Sequence, residues 1–168
     1  MIKFEKVTYD QYKKDTLGDD FQYSMFADEN EQEYKDIVMP RRSTKFSAGY
    51  DFFAPRDISI RAGEAGVIYT GIRAIMPGSL FLALYPRSGL GIKHRTTLAN
   101  CVGIIDADYR NAANEGHIIF KLVNDSDHTV SIRKGSAFAQ GIFQMYLLTD
   151  DDAAAGERKG GLGSTDKE

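Results

Sequence analysis

The chain has 168 residues, of which 42% are hydrophobic and 27% are charged, and this composition favours one compact domain with an ordinary core. Its formal net charge of −3 argues against a general nucleic-acid binder, because such binding needs a dense stripe of Lys and Arg to neutralise phosphates. One cysteine, Cys101, excludes an internal disulfide framework, and without a secretory leader or a membrane-spanning apolar run we expect a soluble, cytoplasmic protein that contacts neither nucleic acid nor membrane.

The first forty residues differ in residue pattern from the rest of the chain and are interpreted as an amino-terminal extension. Thr8 and Gln11 have the spacing of a capping box, and Gly18 is a stop signal. The sequence therefore predicts a short helix from about Thr8 to Leu17. The charged run DENEQE at 28–33 is interpreted as a solvated loop.

From Ser47 onward, short segments rich in Val, Ile, Phe and Tyr alternate with turn signals, and no long helical period interrupts them. The segments read VIYTGIRAIM, LFLALY, NCVGII, GHIIFKLV, TVSI and FAQGIFQMYLL, and the turn signals are Pro77-Gly78, Asn124-Asp125 and Lys134-Gly135. This pattern predicts an all-β fold, a sandwich or jelly-roll-like β-barrel, over residues 41–148 of a single domain. Residues 149–168 lose hydrophobic content and gain glycine and charge, so we expect a flexible, Gly-rich carboxy-terminal arm.

Several polar segments have side chains suited to ligand binding or catalysis. Arg87 and Ser88 lead into Gly89 and Gly91, so that a guanidinium, a hydroxyl and open backbone N–H groups share one turn, which suits phosphate as well as an ordinary turn. The tail offers the same groups, although a disordered terminus would explain them equally; they are Arg158, Lys159, Gly160, Gly161, Gly163, Ser164 and Thr165. The histidines show no zinc-like spacing, and each is interpreted as a surface or hairpin residue; they are His94, His117 and His128.

Carboxylates end the strand-like run CVGII, at the point where burial becomes costly for charge. Asp106, Asp108 and the phenol of Tyr109 follow it directly. In a second strand-like segment, AGYDFFAP, Asp51 stands between two aromatic residues. A carboxylate in that position either faces solvent or pairs with a buried arginine.

Five of these segments, in this order, resemble the successive motifs of the trimeric dUTP diphosphatase (dUTPase) family of bacteria and their phages. The segments are SAGYDFFAP, PRSGLG, NCVGIIDADYR, KGSAFAQGIF and RKGGLGST, and they run from Ser47 to Thr165. The resemblance implies a jelly-roll subunit in a homotrimer with active sites shared between subunits. It also implies Mg²⁺-dependent hydrolysis of dUTP to dUMP and pyrophosphate, which limits uracil incorporation into DNA and supplies dUMP for dTMP synthesis.

The resemblance also implies residue roles. Asp106 would accept a proton from the water that attacks the α-phosphorus, Tyr109 would pack against the deoxyribose, and Asp51 would orient Arg87. The residues implied for the uracil are Asn100, Gly103, Ile104, Ile105 and Leu162, and those implied for the phosphates are Arg87, Ser88, Gly89, Gln140, Arg158, Ser164 and Thr165. The Mg²⁺ would be held chiefly by the substrate phosphates and not by protein carboxylates. Asp108 receives no role and is interpreted as a solvated hairpin carboxylate.

The sequence departs from the family pattern at several places. Ala137 replaces a common arginine, Leu162 replaces a common phenylalanine, and Asp166 replaces a glycine. RNAANE at 110–115 is longer than usual, so we expect an extended hairpin tip.

Two alternatives follow from the same segments. The related dCTP deaminases need a glutamate where this chain has Lys121, which cannot replace a carboxylate as a proton shuttle. A dUTPase scaffold could instead serve as a regulatory binding protein that engages a repressor, if the chain is phage-encoded. Such a protein partner would dock on the amino-terminal extension and on residues 110–115.

Overall fold

The computed structural model describes residues 1–18, 27–158 and 160, and these form a mostly β structure. The strands of this part of the chain are β1 (Lys3–Lys6), β2 (Tyr50–Phe53), β3 (Ile58–Ile60), β4 (Ala65–Tyr69), β5 (Ile72–Ile75), β6 (Leu80–Pro86), β7 (Thr96–Leu98), β8 (Gly103–Asp106), β9 (Ile119–Asn124), β10 (Val130–Ile132) and β11 (Ala137–Met145). Its helices are α1 (Tyr9–Leu17), α2 (Ala27–Lys35), α3 (Ser88–His94) and a 3₁₀-helix (Ala107–Asn111).

The strands pair into a four-stranded sheet, β2-β11-β6-β8, and a three-stranded sheet, β4-β9-β7, with two further pairs, β1-β5 and β10-β3. In the larger sheet, β11 runs antiparallel to β6 from Ala139 opposite Pro86 to Met145 opposite Leu80. The all-β prediction is confirmed. Among the described residues, the pairings leave separate sheets and do not close into one barrel.

Aromatic side chains fill the core between the sheets. Phe52 and Phe138 are both buried, and each meets the ring of Phe120 edge-on, with ring centroids 5.2 and 5.1 Å apart. Offset aromatic pairs of this kind add to the stabilisation from burial alone. They fix the larger sheet, which carries the polar residues discussed below, on the rest of the domain.

The amino-terminal extension packs on the sheets through α1. The hydroxyl of Thr8 caps this helix by accepting from the backbone N–H of Gln11 at 3.2 Å, and Gly18 ends it with φ +83°, as the sequence predicted. The strand β1, which the sequence did not reveal, adds to the edge of β5. The prediction of a solvated loop at 28–33 is wrong, because these residues lie in α2.

The helix α2 has no apolar stripe along one face, and contacts with distant residues hold it on the domain instead. Tyr34 donates from its hydroxyl to the carbonyl of Val7 at 2.6 Å, and its ring lies 5.6 Å from that of Tyr12. Arg56 pairs with Glu33 at 2.8 Å. The charged run is therefore helical because Glu33 and Tyr34 anchor it to the rest of the domain.

The segment between β8 and β9 is not the extended hairpin that we predicted. β8 pairs with β6, whereas β9 pairs with β4 and β7, so no hairpin ladder joins β8 and β9. The chain instead enters the 3₁₀-helix and returns through turns at 112–116.

After Met145, the described residues form neither helix nor strand. Lys159 and residues 161–168 lie outside the described part of the chain. None of the helices that the structure describes is long and apolar enough to cross a membrane.

Candidate active site

The residues predicted to carry chemistry fall at the two ends of β6. Asp106 lies opposite Phe81 at the beginning of this strand, whereas Arg87 follows its end. Six residues of extended chain separate these two positions by about 20 Å. The chain therefore holds two separate groups of these residues, which we call half-sites: a carboxylate half-site around Asp106 and a cationic half-site around Arg87.

The carboxylate half-site opens onto a cavity of about 540 Å³ lined in part by Asp106, Asp108 and Ile104. Half of the Asp106 side chain is exposed. The guanidinium of Arg158 approaches from the carboxy-terminal arm, with Nη1 at 2.7 Å from Asp106 Oδ2 and 3.4 Å from Asp108 Oδ1. Asp108, whose side chain is 52% exposed, therefore also contacts Arg158.

Burial alone would lower the pKa of the Arg158 guanidinium, but hydrogen bonds and charge attraction from Asp106 and Asp108 raise it. The guanidinium carbon also lies 5.0 Å from the centre of the Tyr109 ring, within cation–π range. Arg158 thus closes over the carboxylate and the aromatic ring together.

Tyr109 lies beneath this arginine with 2% of its surface exposed. Its hydroxyl donates to the carbonyl of His117 at 3.0 Å and accepts from Nδ2 of Asn114 at 2.8 Å. Burial is the main reason that the pKa of its phenol is raised. The phenol therefore stays protonated and its ring is held in one orientation.

Residues predicted for the uracil divide between the two faces of β8. Asn100 and Gly103 line a second cavity of about 360 Å³, which Lys121 also lines. Ile104 points to the cavity beside Asp106, and Ile105 is buried in the core. A Cβ at position 103 would lie 3.1 Å from atoms of the Leu84 side chain, so a larger residue there would press on Leu84.

The cationic half-site gathers the other predicted residues that the structure describes. Nε of Arg87 lies 3.4 Å from Oδ1 of Asp51, and Asp51 is opposite Gln140 in the pairing of β2 with β11. Ser88 and Gly89 are exposed in the first turn of α3. Asp51 is nearly buried, whereas 43% of the Arg87 side chain is exposed, so the pair joins a nearly buried carboxylate to a partly exposed guanidinium.

Sequence reasoning missed the polar residues behind Tyr109. His117 is completely buried, so its assignment to the surface is wrong. Its Nδ1 lies 2.6 Å from Oδ2 of Asp15 in α1. Asn114 contacts the Tyr109 hydroxyl, and Glu115 contacts Thr8. The only signal for this arrangement in the sequence was the unusual length of the segment 110–115.

Oxygen donors suited to Mg²⁺ are present at the carboxylate half-site. Within the part of the chain that the structure describes, no group of three or more His, Cys, Asp or Glu side chains could hold a metal ion. The carboxylates of Asp106 and Asp108 nevertheless meet at one guanidinium. Because Mg²⁺ usually keeps several waters and binds together with substrate phosphates, a triphosphate bound beside these carboxylates would supply most of the ligands of the ion.

An all-β fold with an exposed carboxylate at one end of a strand and a carboxylate-oriented arginine at the other has the features of a hydrolase for an anionic substrate. A family model described as dUTPase matches residues 35–165. This chain belongs to the dUTPase family.

Curated relatives support this assignment over most of their length. The deoxyuridine 5'-triphosphate nucleotidohydrolase of Lactococcus lactis subsp. lactis (strain IL1403) is 42% identical over 132 residues, which cover 77% of this chain and 88% of that protein. The protein of the same name from Rickettsia felis (strain ATCC VR-1525 / URRWXCal2) is 40% identical over 134 residues, which cover 76% of this chain and 87% of that protein.

Solved structures show the same fold. The dUTPase from Streptococcus mutans is 32% identical, with a TM-score of 0.66, and the match covers 88% of this chain and 98% of that one. A variant of the dUTPase from phage phi11 of S. aureus, described with a structural Mg(II) ion, is 23% identical, with a TM-score of 0.58 and coverage of 71% and 90%. At that identity, the phage protein is similar in fold alone.

Proposed function

We propose that this member of the dUTPase family hydrolyses dUTP to dUMP and pyrophosphate through a water molecule activated by Asp106. The observation that carries the proposal is the exposed Asp106 carboxylate at the mouth of a cavity, paired with Arg158 over the ring of Tyr109. A carboxylate that accepts the proton and a cation that stabilises phosphate charge are groups that attack on a nucleoside triphosphate needs at one place.

In the proposed reaction, Asp106 accepts a proton from the attacking water, whose oxygen forms a bond to the α-phosphorus. The bond from the α-phosphorus to the bridging oxygen breaks, and pyrophosphate leaves. Binding of the triphosphate draws Arg158 from Asp106 to the phosphates, which frees the carboxylate to act as a base. Magnesium bound with the triphosphate would neutralise phosphate charge, held chiefly by the phosphates and water.

Arg87 and Gln140 would hold the phosphates from the cationic half-site, with Asp51 orienting the guanidinium. Ser88 and Gly89, exposed in the first turn of α3, would add hydroxyl and backbone donors. The implied phosphate contacts of Ser164 and Thr165, and the contact of Leu162 with uracil, concern residues outside the described part of the chain and stay proposals from the resemblance.

The nucleoside would lie against the carboxylate half-site. We infer that Tyr109 packs on the deoxyribose where a ribose 2'-hydroxyl would need room. Asn100 and the backbone from Gly103 to Ile105 would read the uracil edge. Lys121 lines the same cavity as Asn100 and offers only donors, which disfavours deamination of a cytosine there.

A homotrimer with shared active sites would unite the two half-sites, which lie about 20 Å apart in one chain. Exposed apolar side chains support such an assembly. Met145 at the end of β11 and Leu147 and Leu148 after it are 81%, 96% and 66% exposed, and exposed apolar surface of this kind marks protein contacts.

Pyrophosphate release from dUTP, dCTP, dTTP and UTP, measured in parallel with Mg²⁺ present, tests the proposal. We expect dUTP to be hydrolysed selectively. Comparable rates on all four nucleotides, or no release from dUTP, would overturn the assigned substrate. Omitting Mg²⁺ and adding a chelator should abolish the release.

A further inference from the structure

We propose that helix α1 and the segment 110–117 form a brace that fixes the hydroxyl of Tyr109 and thereby strengthens selection against ribonucleotides. Asn114, Glu115 and His117 are the positioning residues on one side of the brace, and Thr8 and Asp15 are those on α1. The inference rests on the proposed function, because it takes Tyr109 as the residue that meets the sugar.

The inner part of the brace holds the Tyr109 hydroxyl through two hydrogen bonds. Asn114 donates from Nδ2 to this oxygen at 2.8 Å, and the hydroxyl donates to the carbonyl of His117 at 3.0 Å. Oδ1 of Asn114 accepts from the backbone N–H of Gly116 at 3.3 Å. The side-chain amide of Asn114 is therefore hydrogen-bonded to the loop backbone through its oxygen and to the phenol through its nitrogen. These two bonds fix its orientation.

Backbone geometry keeps this loop in one conformation. Glu115 and Gly116 have φ values of +57° and +75°, in the left-handed region that most side chains avoid. A Cβ at position 116 would lie 2.7 Å from Cα of Arg110 and 2.9 Å from the carbonyl oxygen of Tyr109. The loop thus folds directly back onto the backbone of the residue whose side chain it holds.

The outer part of the brace comes from the amino-terminal extension. The carboxylate of Glu115 accepts from the backbone N–H of Thr8 at 2.8 Å and from its hydroxyl at 2.6 Å. Thr8 is also the residue that caps α1. The beginning of this helix and the loop behind Tyr109 are therefore joined by a two-point contact.

A second contact joins the other side of α1 to the loop. His117 is fully buried, and its Nε2 accepts from the backbone N–H of Gly71 at 2.7 Å. Its proton must then lie on Nδ1, which donates to Asp15 at 2.6 Å. Loss of the Asp15 carboxylate would leave a buried donor without a partner, which is costly enough to shift the loop.

The chain of contacts runs from α1 through the loop to a single phenol oxygen. Because Tyr109 is buried and its ring is the proposed platform for the sugar, a small displacement would open room for a 2'-hydroxyl. The brace should therefore act on the choice between dUTP and UTP more than on the chemical step itself.

The ratio of kcat/KM for dUTP to kcat/KM for UTP is the quantity that tests the brace. We expect Tyr109→Phe and Asn114→Ala each to lower this ratio by about fivefold to tenfold, the loss expected when a buried hydrogen bond is removed. Asp15→Ala should lower it less, and Asp15→Asn, which keeps an oxygen acceptor for His117, should restore most of the ratio. The matched control is Asp10→Ala, which removes an exposed carboxylate from the same helix and should leave the ratio unchanged.

A purely structural role predicts a different pattern. Partial unfolding would reduce the rates on both nucleotides equally and leave their ratio intact, so melting curves recorded alongside separate the two effects. The double variant Tyr109→Phe/Asn114→Ala should lower the ratio by less than the product of the two single effects, because both variants remove the hydrogen bond between Asn114 and the Tyr109 hydroxyl. A wild-type ratio in Tyr109→Phe, Asn114→Ala and Asp15→Ala would overturn the brace, whereas a wild-type protein that does not prefer dUTP would overturn the proposed function instead.

Discussion

At the scale of single residues, the pair of Asp106 and Arg158 links the proposed base to the carboxy-terminal arm. Sequence motifs alone were enough to select both residues, and the structure places them 2.7 Å apart. The same motifs could not reveal the third partner, Asp108, because the contact depends on how the arm returns to a 3₁₀-helix 50 residues away.

We expect Asp106→Asn to keep nucleotide binding while kcat for dUTP falls by about a hundredfold or more, because the amide cannot accept the proton from water. Pyrophosphate release and equilibrium nucleotide binding check the two halves of this statement. Asp125→Asn is a matched control, since Asp125 also pairs with an arginine at 2.7 Å but belongs to neither half-site. Wild-type kcat in Asp106→Asn would remove this residue from the mechanism.

Gly116 provides a stability test at the same scale. Gly116→Ala should lower the free energy of unfolding by about 2 kcal/mol or more, because positive φ is combined with backbone contacts under 3.0 Å from the added Cβ. Gly135 has nearly the same φ, +76°, but no atom lies within 4 Å of a Cβ added there. Gly135→Ala should therefore lower the free energy of unfolding by only about 1 kcal/mol. Denaturant unfolding of the two variants at equal protein concentration measures the difference, and equal losses would refute the steric argument.

At the scale of elements, the sequence predicted those that local interactions determine. It did not predict those that contacts with distant residues hold in place. The bounds of α1 followed from Thr8, Gln11 and Gly18, since capping is a local interaction. The helix α2 and the path of residues 110–117 did not, because distant side chains hold them: Tyr34 reaches Val7, and Glu115 reaches Thr8. Short strands such as β1 carry too few residues to show a period.

The contact of α1 with His117 makes stability depend on pH. Burial would raise the pKa of the Asp15 carboxyl, but hydrogen bonds from His117 and Gln11, with attraction from His117 and Lys14, lower it below the ordinary 3.8. A carboxyl whose pKa is lower in the folded state stabilises the protein above pH about 4, and this contribution is lost as the pH falls through the lowered pKa.

Unfolding of Asp15→Asn across the acid range tests this dependence. The wild type should exceed the variant in free energy of unfolding at pH 6, and the gap should narrow below pH about 4 as Asp15 is protonated. Asp10→Asn, on the exposed face of the same helix, should show no such narrowing. A gap that stays constant down to pH 2 would show that the carboxylate charge does not matter.

At the scale of the whole molecule, the two half-sites lie at opposite ends of β6. The resemblance implied active sites shared between subunits, but it did not indicate which of the implied residues one chain holds together. That separation depends on strand pairing, which places Asp106 and Arg87 at opposite ends of one strand.

Mixing two defective variants tests whether subunits share sites. Asp106→Asn and Arg87→Ala should each be nearly inactive alone. Co-refolded in equal amounts, they should recover about one quarter of wild-type activity, because that fraction of randomly assembled interfaces joins two intact half-sites. Light scattering should give the mass of three subunits. No recovery from well-mixed oligomers would place the whole site in one chain.

The same separation bears on inheritance. In a cell that carries an intact gene beside a copy altered at Asp106, each defective chain would still lend its arginine end to an intact neighbour. The dUTP-hydrolysing activity of the cell should then fall in proportion to the share of altered chains. A single altered allele would therefore be tolerated and would not be dominant.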